Sequence, residues 1–352
     1  MTVKMPDTVS REAVEWAFRF FIGREPRDES EINFHRQHHS VEALRRAFSE
    51  TGEFAGFQRA LRGGTPYSVP VFMLQPPADA SIPWHFAAPE LARPVSQMCT
   101  HGQFQEAEFA HWCAELRMLP ASHRKQWELC FILAAARAHG LLQPGMSALG
   151  FGVGREPIAA LLAHYRLIVL ATDAPAEIIA GQGWDSTGQH AAGLAALDQP
   201  EIVGFDQLSR QVRFRSVDMN AIPDDLHGFD WCWSTCAFEH LGSLEHGLRF
   251  VENSLAPLRP GGLAIHTTEF NLSSNEQTFE SPGLCFYRKC DIERLAARLM
   301  AAGHSVMPLN FHPGDAALDA HVDLPPYALP HLKLQVAQFA ATSIGIIVRK
   351  RA

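Results

Sequence analysis

The apolar positions of this chain change period several times, and each change marks an element. In residues 145–173, GMSALGFGVGREPIAALLAHYRLIVLATD, a short apolar run ends in Gly150, Gly152 and Gly154. A helical pattern follows, and a second apolar run closes on Asp173. That order predicts strand, glycine turn, helix and strand. Further strands are predicted at 212–218 (VRFRSVD), at 229–235 (FDWCWST) and, after a Pro-Gly-Gly turn, within 254–269 (SLAPLRPGGLAIHTTE). A helix starts at 236–241 (CAFEHL). The amphipathic run 291–303 carries Ile292, Leu295, Ala296 and Leu299 on one face. Segments 305–309 and 343–348 read as an antiparallel hairpin. Strands alternating with helices predict an α/β fold with a doubly wound, mainly parallel sheet.

Ahead of this lies a different pattern. Residues 1–63 read as a helical accessory unit: Ser10 caps a helix carrying Val14, Trp16, Ala17, Phe18, Phe20 and Phe21 and stopped by Gly23. Ser40 opens a second helix with Val41, Leu44, Ala47 and Phe48, and Glu53 starts a short third. Residues 64–95 are rich in Pro and Gly and read as a surface linker. The main domain is then 96–352. Helices at 101–119 and 122–140 lead into it, the second carrying Lys125 and Trp127 as candidates to line a site. Trp127 has two readings, a site residue or a packing residue. A loop of Pro, Asp and His at 310–333 reads as a lid over the sheet.

Charge and cysteines narrow the class. The 352 residues carry a formal net charge of −8 and no basic run, which argues against nucleic acid as a partner. Seven cysteines without a C-x-x-C pair give neither a zinc-site spacing nor a disulfide framework. A reducing cytoplasm is the expected compartment. No stretch approaches the ~20 apolar residues of a membrane span.

The glycine turn is where a ligand can approach the backbone. Its spacing, G-x-G-x-G, differs from the dinucleotide fingerprint G-x-G-x-x-G. Glu156, in the first turn of the next helix, would repel a pyrophosphate there. A nucleoside cofactor without phosphate and with a sulfonium, S-adenosylmethionine (SAM), suits the arrangement better. Asp173 is placed to accept from a ribose diol, and Asp218 from an adenine amino group. A structural turn is the bland alternative.

Taken together, GFGVG, VLATD, SVD, FDWCWSTCAFEHL and LRPGG over about 143–271 resemble a class I SAM-dependent methyltransferase. The resemblance implies a Rossmann-like domain with S-adenosylhomocysteine as product. It implies a cofactor set of Gly150, Phe151, Gly152, Gly154, Glu156, Asp173, Asp218, Met219 and Ser234. One departure stands out: the acid usual two residues before the first glycine is Ala148 here, so Glu156 or a carbonyl near Gly150 has to take over its work. The N-terminal pattern, with IGREP (Ile22–Pro26) and SETGEF, resembles the helical module that accompanies enzymes of bacterial surface-polysaccharide loci.

Methyl transfer needs an aligned acceptor and, for a hydroxyl, a base at the carboxyl ends of the strands. His240 is the first choice and His266 the second, with Glu239 and Glu269 on the same rim. The polar segment 266–275 offers Thr268, Asn271 and Asn275 to a polyhydroxylated acceptor, and Tyr327 reaches from the lid. His312, Asp315, Asp319, His321 and Asp323 admit a divalent metal, but no helical ligand pair forces one, and none is expected. The expected activity is O-methylation of a sugar in O-antigen, capsule or exopolysaccharide assembly. A carbohydrate or glycan-lipid would be the acceptor, and other assembly proteins or a second copy the partners. The rivals are a small-molecule methyltransferase, a non-catalytic SAM-binding protein and a nucleotide-sugar oxidoreductase.

Overall fold

The computed structural model describes residues 8–54, 67–181 and 188–352. Ser10 accepts from the Ala13 amide and opens α1 (Arg11–Ala17), whose wider continuation Phe18–Ile22 stops at the left-handed Gly23. Asp28 and Ser40 cap α2 (Glu29–Arg36) and α3 (Val41–Ser49) in the same way. Val14, Phe18, Ile32, Leu44 and Phe48 make these helices' own core. Helix α2 leaves no apolar stripe in the sequence, because most of its residues are charged or polar and Ile32 is its one buried residue. Of the short helix expected from Glu53, the positions after Phe54 lie outside the described residues.

The main domain opens with α4 (Ala107–Glu115) and α5 (Arg124–Ala138). The wound core follows as β1 (Ser147–Phe151), α6 (Ile158–His164), β2 (Ile168–Asp173), α7 (Ala176–Gly181), α8 (Phe205–Gln211) and β3 (Val212–Ser216). Then come β4 (Phe229–Thr235), α9 (Leu244–Asn253), β5 (Leu258–Asn271), α10 (Lys289–Ala301), β6 (Ser305–Val306), β7 (Leu334–Val336) and β8 (Phe339–Arg349). The sheet runs β7-β8-β5-β4-β1-β2-β3, with β6 on β8. Strands β1 to β5 pair in parallel, and β8 returns antiparallel to β5 from Ala341↔Asn271 to Arg349↔Leu263. This is the doubly wound, Rossmann-like sheet read from the sequence. The chain leaves β1 toward β2 on one side and later returns to β4 on the other. Their carboxyl ends therefore frame a crevice at the switch point.

Strand residues alternate between two cores. Trp231 and Trp233 join Trp127, Phe131, Ile132 and Leu133 on the α5 and α6 face, while Cys232 joins Phe151, Phe250, Val251 and Ile346 on the other. Trp127 is fully buried and stacks on Phe131 at 5.0 Å, which is the packing reading.

Several segments are more tightly fixed than their composition suggested. The helix expected over 101–119 breaks at Glu106, whose carboxylate turns back to accept the Leu91 and Ala92 amides. In the linker, Met73 and Ile82 are buried in the second core, and the Tyr67 hydroxyl donates to the Leu272 carbonyl at 3.1 Å. The expected solvated lid is a packed segment instead. Lys333 is buried and donates to the Asp319 and Pro313 carbonyls at 2.6 and 3.1 Å. Asp319 accepts the His101 amide, and Asp323 holds His331 at 2.6 Å and the Ala328 amide at 3.0 Å. Of the expected hairpin, only Ser305–Val306 joins β8; Leu309–Asn310 pairs in parallel with Ser96–Gln97 as a separate ribbon.

Candidate functional site

The turn after β1 is tight because its own neighbours leave no room. Gly152 and Gly154 have φ of +58° and +52°, where a side chain is strained. A Cβ on Gly152 would lie 2.9 Å from Ala237 Cβ and 3.3 Å from Met219 Sδ, and one on Gly154 would lie 2.8 Å from the Gln189 carbonyl. Thr172 donates its hydroxyl to the Gly150 carbonyl at 2.7 Å, so that carbonyl is already engaged.

Asp173 ends β2 buried, and both its oxygens are used. Oδ2 accepts the Ala191 amide at 2.8 Å, and Oδ1 accepts the Ala174 amide at 2.8 Å and lies 3.1 Å from His190 Nδ1. The segment 189–191 thus covers the carboxyl ends of β1 and β2. It presents to Asp173 two donors of the kind a ribose diol would present. Asp218 caps its own turn by accepting the Asn220 amide, and Met219 is buried against the glycine turn. The side chain of Phe151 is core, edge-on to Phe250 at 5.2 Å, so only its backbone faces the turn. Ser234 is spent on His266.

Next to the turn lies a buried cluster of charge drawn from four elements. Helix α5 brings Arg124, Lys125 and Glu128; β5 brings Glu269; the turn after β4 brings Glu239; and the turn leading into α6 brings Glu156, which lies before that helix rather than in its first turn. Arg124 Nη1 pairs with Glu269 Oε1 at 2.6 Å and with Glu128 Oε1 at 3.4 Å. Lys125 Nζ lies 3.4 Å from Glu269 Oε1 and 3.5 Å from Glu128 Oε1, and its side chain keeps 43% exposure at the mouth. Ser343 of β8 donates to Glu128 and shares Arg124 at 3.1 Å. Every cation meets Glu128 and Glu269 on Oε1. Oε2 of Glu128, Glu156 and Glu269 and Oε1 of Glu239 are buried without a hydrogen-bond partner among the described residues. Four carboxylates face two cations.

The acids do not share one protonation state. Burial pushes Glu269 up, but Arg124 and Lys125 outweigh it and hold the carboxyl below the usual range. Burial raises Glu156 well above that range, and Glu128 adds to the effect. Burial also raises Glu239, against the opposing pull of His240 and Lys125.

The rim histidines separate. His240, on the short turn Phe238–His240, keeps its side chain 38% exposed, and its Nδ1 lies 2.6 Å from the Gly283 carbonyl. A carbonyl only accepts, so Nδ1 carries the proton and Nε2 faces Glu239 Oε1 at 4.0 Å. His266 is not on the rim, which corrects the sequence expectation. It is fully buried, with Nδ1 at 2.8 Å from Ser234 Oγ and Nε2 at 3.0 Å from Ser254 Oγ. Ser254 already donates to the Val251 carbonyl, so Nε2 holds the ring proton and Nδ1 accepts from Ser234. Burial pushes its pKa down to about 3. It is a satisfied core histidine.

The polar segment after β5 turns out to bind itself. Thr268 is buried and donates to Glu239 Oε2 at 2.9 Å. Asn271 donates to the Gln277 carbonyl and Thr278 hydroxyl and accepts the Ser273 and Ser274 amides. Asn275 accepts the Cys290 amide at the start of α10. Tyr327 donates to the Gln335 carbonyl at 2.6 Å and is exposed. The Asp and His residues of 310–333 form no metal group. The three metal-ligating side chains brought together among the described residues are Cys236, Glu239 and Glu269.

Arg124, Glu128 and Cys236 are the participants that sequence reasoning left without a role. The signal for the first two was their i, i+4 spacing on a helix whose middle is apolar. Cys236 had no such signal.

No protein-family model matches this chain, and no curated protein matches it. Solved structures that share part of the fold include the [4+2]-cyclase SpnF, at 17% identity over 62% of this chain and 82% of that one, with a TM-score of 0.39. Magnesium protoporphyrin IX methyltransferase from Synechocystis PCC 6803, with bound S-adenosylhomocysteine, is 12% identical over 64% and 83% (TM-score 0.38). A SAM-dependent methyltransferase from Clostridium acetobutylicum ATCC 824 is 13% identical over 70% and 98% (TM-score 0.36).

Proposed function

We propose that this chain is a SAM-dependent methyltransferase. The observation that carries the reading is the switch-point crevice. There a glycine turn, a buried carboxylate ending β2 and a patch of unpartnered carboxylate oxygens meet within one site. Asp173 would take the ribose hydroxyls in exchange for the Ala191 amide and His190. Glu128 and Glu156 would receive the cofactor's ammonium, the work left open by Ala148. Lys125, at the mouth, would face its carboxylate. The orphaned oxygens would give such a cation acceptors that have no hydrogen-bond partner of their own among the described residues.

SAM supplies a methyl carbon already activated by its sulfonium. The protein's remaining tasks are to align the acceptor and to remove its proton. His240 is placed for the second task. Its Nδ1 proton is held by the Gly283 carbonyl, so Nε2 is the nitrogen that would take the acceptor's proton, and buried Glu239 Oε1 lies 4.0 Å from that same nitrogen, beside the imidazolium that would form. His240→Ala should lower kcat about 10²–10³-fold, the usual worth of a placed general base, while S-adenosylhomocysteine affinity stays unchanged. The check is transfer of labelled methyl from SAM, run beside a binding titration. Full turnover in His240→Ala would remove the base from this scheme.

A sugar hydroxyl in bacterial surface-polysaccharide assembly is the acceptor this reading names. Its support is the likeness of the N-terminal helices to modules of such loci. The polar rim no longer supports it, since Thr268 is spent on Glu239, Asn271 on its own turn and Asn275 on the start of α10.

A further inference from the structure

The cluster contains a donor set of which the methyl-transfer reading uses Glu239 alone. Cys236 Sγ and one carboxylate oxygen each from Glu239 and Glu269 lie within 4.8 Å of one another. Glu239 is fully buried with Oε1 unpartnered, and Glu269 engages both its cations through Oε1, leaving Oε2 unpartnered. Cys236 is held with φ +41°, a left-handed conformation rare for a residue with a side chain. Its amide is fixed by the Thr267 carbonyl and hydroxyl, both at 3.1 Å. The strained residue therefore keeps its thiol beside the two acids.

We propose that Cys236, Glu239 and Glu269 form a site for a transition-metal dication of the zinc type. One sulfur and two oxygens suit zinc or cobalt rather than magnesium or calcium, which take oxygen alone. Ligands on a tetrahedral zinc stand about 3.3–3.5 Å apart, given its bond lengths of roughly 2.0–2.3 Å. Metal binding would draw the three side chains in from their present spacing, within 4.8 Å, to that value. Three protein ligands leave a fourth position open, as catalytic zinc sites do. If the methyltransferase reading holds, the open position would polarise an acceptor hydroxyl near His240; that role rests on the reading, and metal binding does not.

The test is titration of the full chain with Co²⁺, without any cofactor. The expected result is one equivalent bound, with a thiolate-to-cobalt band in the near ultraviolet. Cys236→Ser should abolish the band, and Glu239→Gln should weaken Co²⁺ binding at least tenfold, each checked for folding by circular dichroism. Should Cys236→Ser fail to fold, Cys236→Ala and Glu239→Gln carry the same comparison. No band in the native chain, or a band that survives both cysteine variants, would overturn the site. Because no SAM is present, failure here is separate from failure of the methyltransferase reading.

Discussion

Glu269→Ala should destabilise the fold by about 3 kcal/mol, within the cost of breaking a buried ion pair by removing one partner. Arg124 and Glu269 keep only 7% side-chain exposure each, and Arg124 Nη1 lies 2.6 Å from the carboxylate. Without Glu269, Arg124 is left with Glu128 at 3.4 Å and the Ser343 hydroxyl, and Lys125 loses one of its two acids. For a domain of this size the loss corresponds to ~6–12 °C in Tm, at roughly 2–4 °C per kcal/mol. The sign with pH follows from the depressed pKa. The contribution is complete above the ordinary carboxylate range and is lost as pH falls through Glu269's lowered value. Replacing both partners, Arg124→Met with Glu269→Leu, should recover much of the loss, because neither charge is then buried alone. Thermal melts of the native chain, the single variant and the double variant decide the point. A Tm within ~1 °C of the native chain for Glu269→Ala would mean that water already screens the pair.

Asp173→Ala should weaken S-adenosylhomocysteine binding about 100-fold. Two charge-assisted hydrogen bonds at about 1.5 kcal/mol each amount to roughly that factor. The exchange with residues 190–191 makes this prediction sharper. His190 Nδ1 stands 3.1 Å from Asp173 and competes for the same carboxylate. His190→Ala should therefore tighten binding a few-fold, the opposite direction from Asp173→Ala. If Asp173 only anchors the 189–191 segment, both variants would lose stability together and neither would change affinity. Calorimetry on the two variants separates the cases.

What the sequence disclosed were features whose cause is local. The glycine turn, the acid at the end of β2 and the period changes that mark β1 to β5 depend on residues a few positions apart. What it hid depends on partners far along the chain. The pairing of Arg124 with Glu269 joins a helix before β1 to the end of β5. His266 looked like a rim base because its strand ends in polar residues. Ser234 and Ser254, on two other elements, consume both its nitrogens. Asn271 looked like a substrate donor until its turn folded back on it. The segment 310–333 looked like a lid because it is a long loop placed after the core of the sheet. Burial of Lys333 over the Asp319 and Pro313 carbonyls shows where its polar groups are spent. Cys236 gave no pattern at all, since its place follows from a left-handed backbone that composition does not encode.

The central claim is the cofactor, and calorimetric titration of the unmodified chain with S-adenosylhomocysteine, with NAD as the control, tests it most directly. One site of micromolar affinity for S-adenosylhomocysteine and none for NAD is the predicted result. NAD binding in its place, or no binding of either to the folded chain, would contradict it.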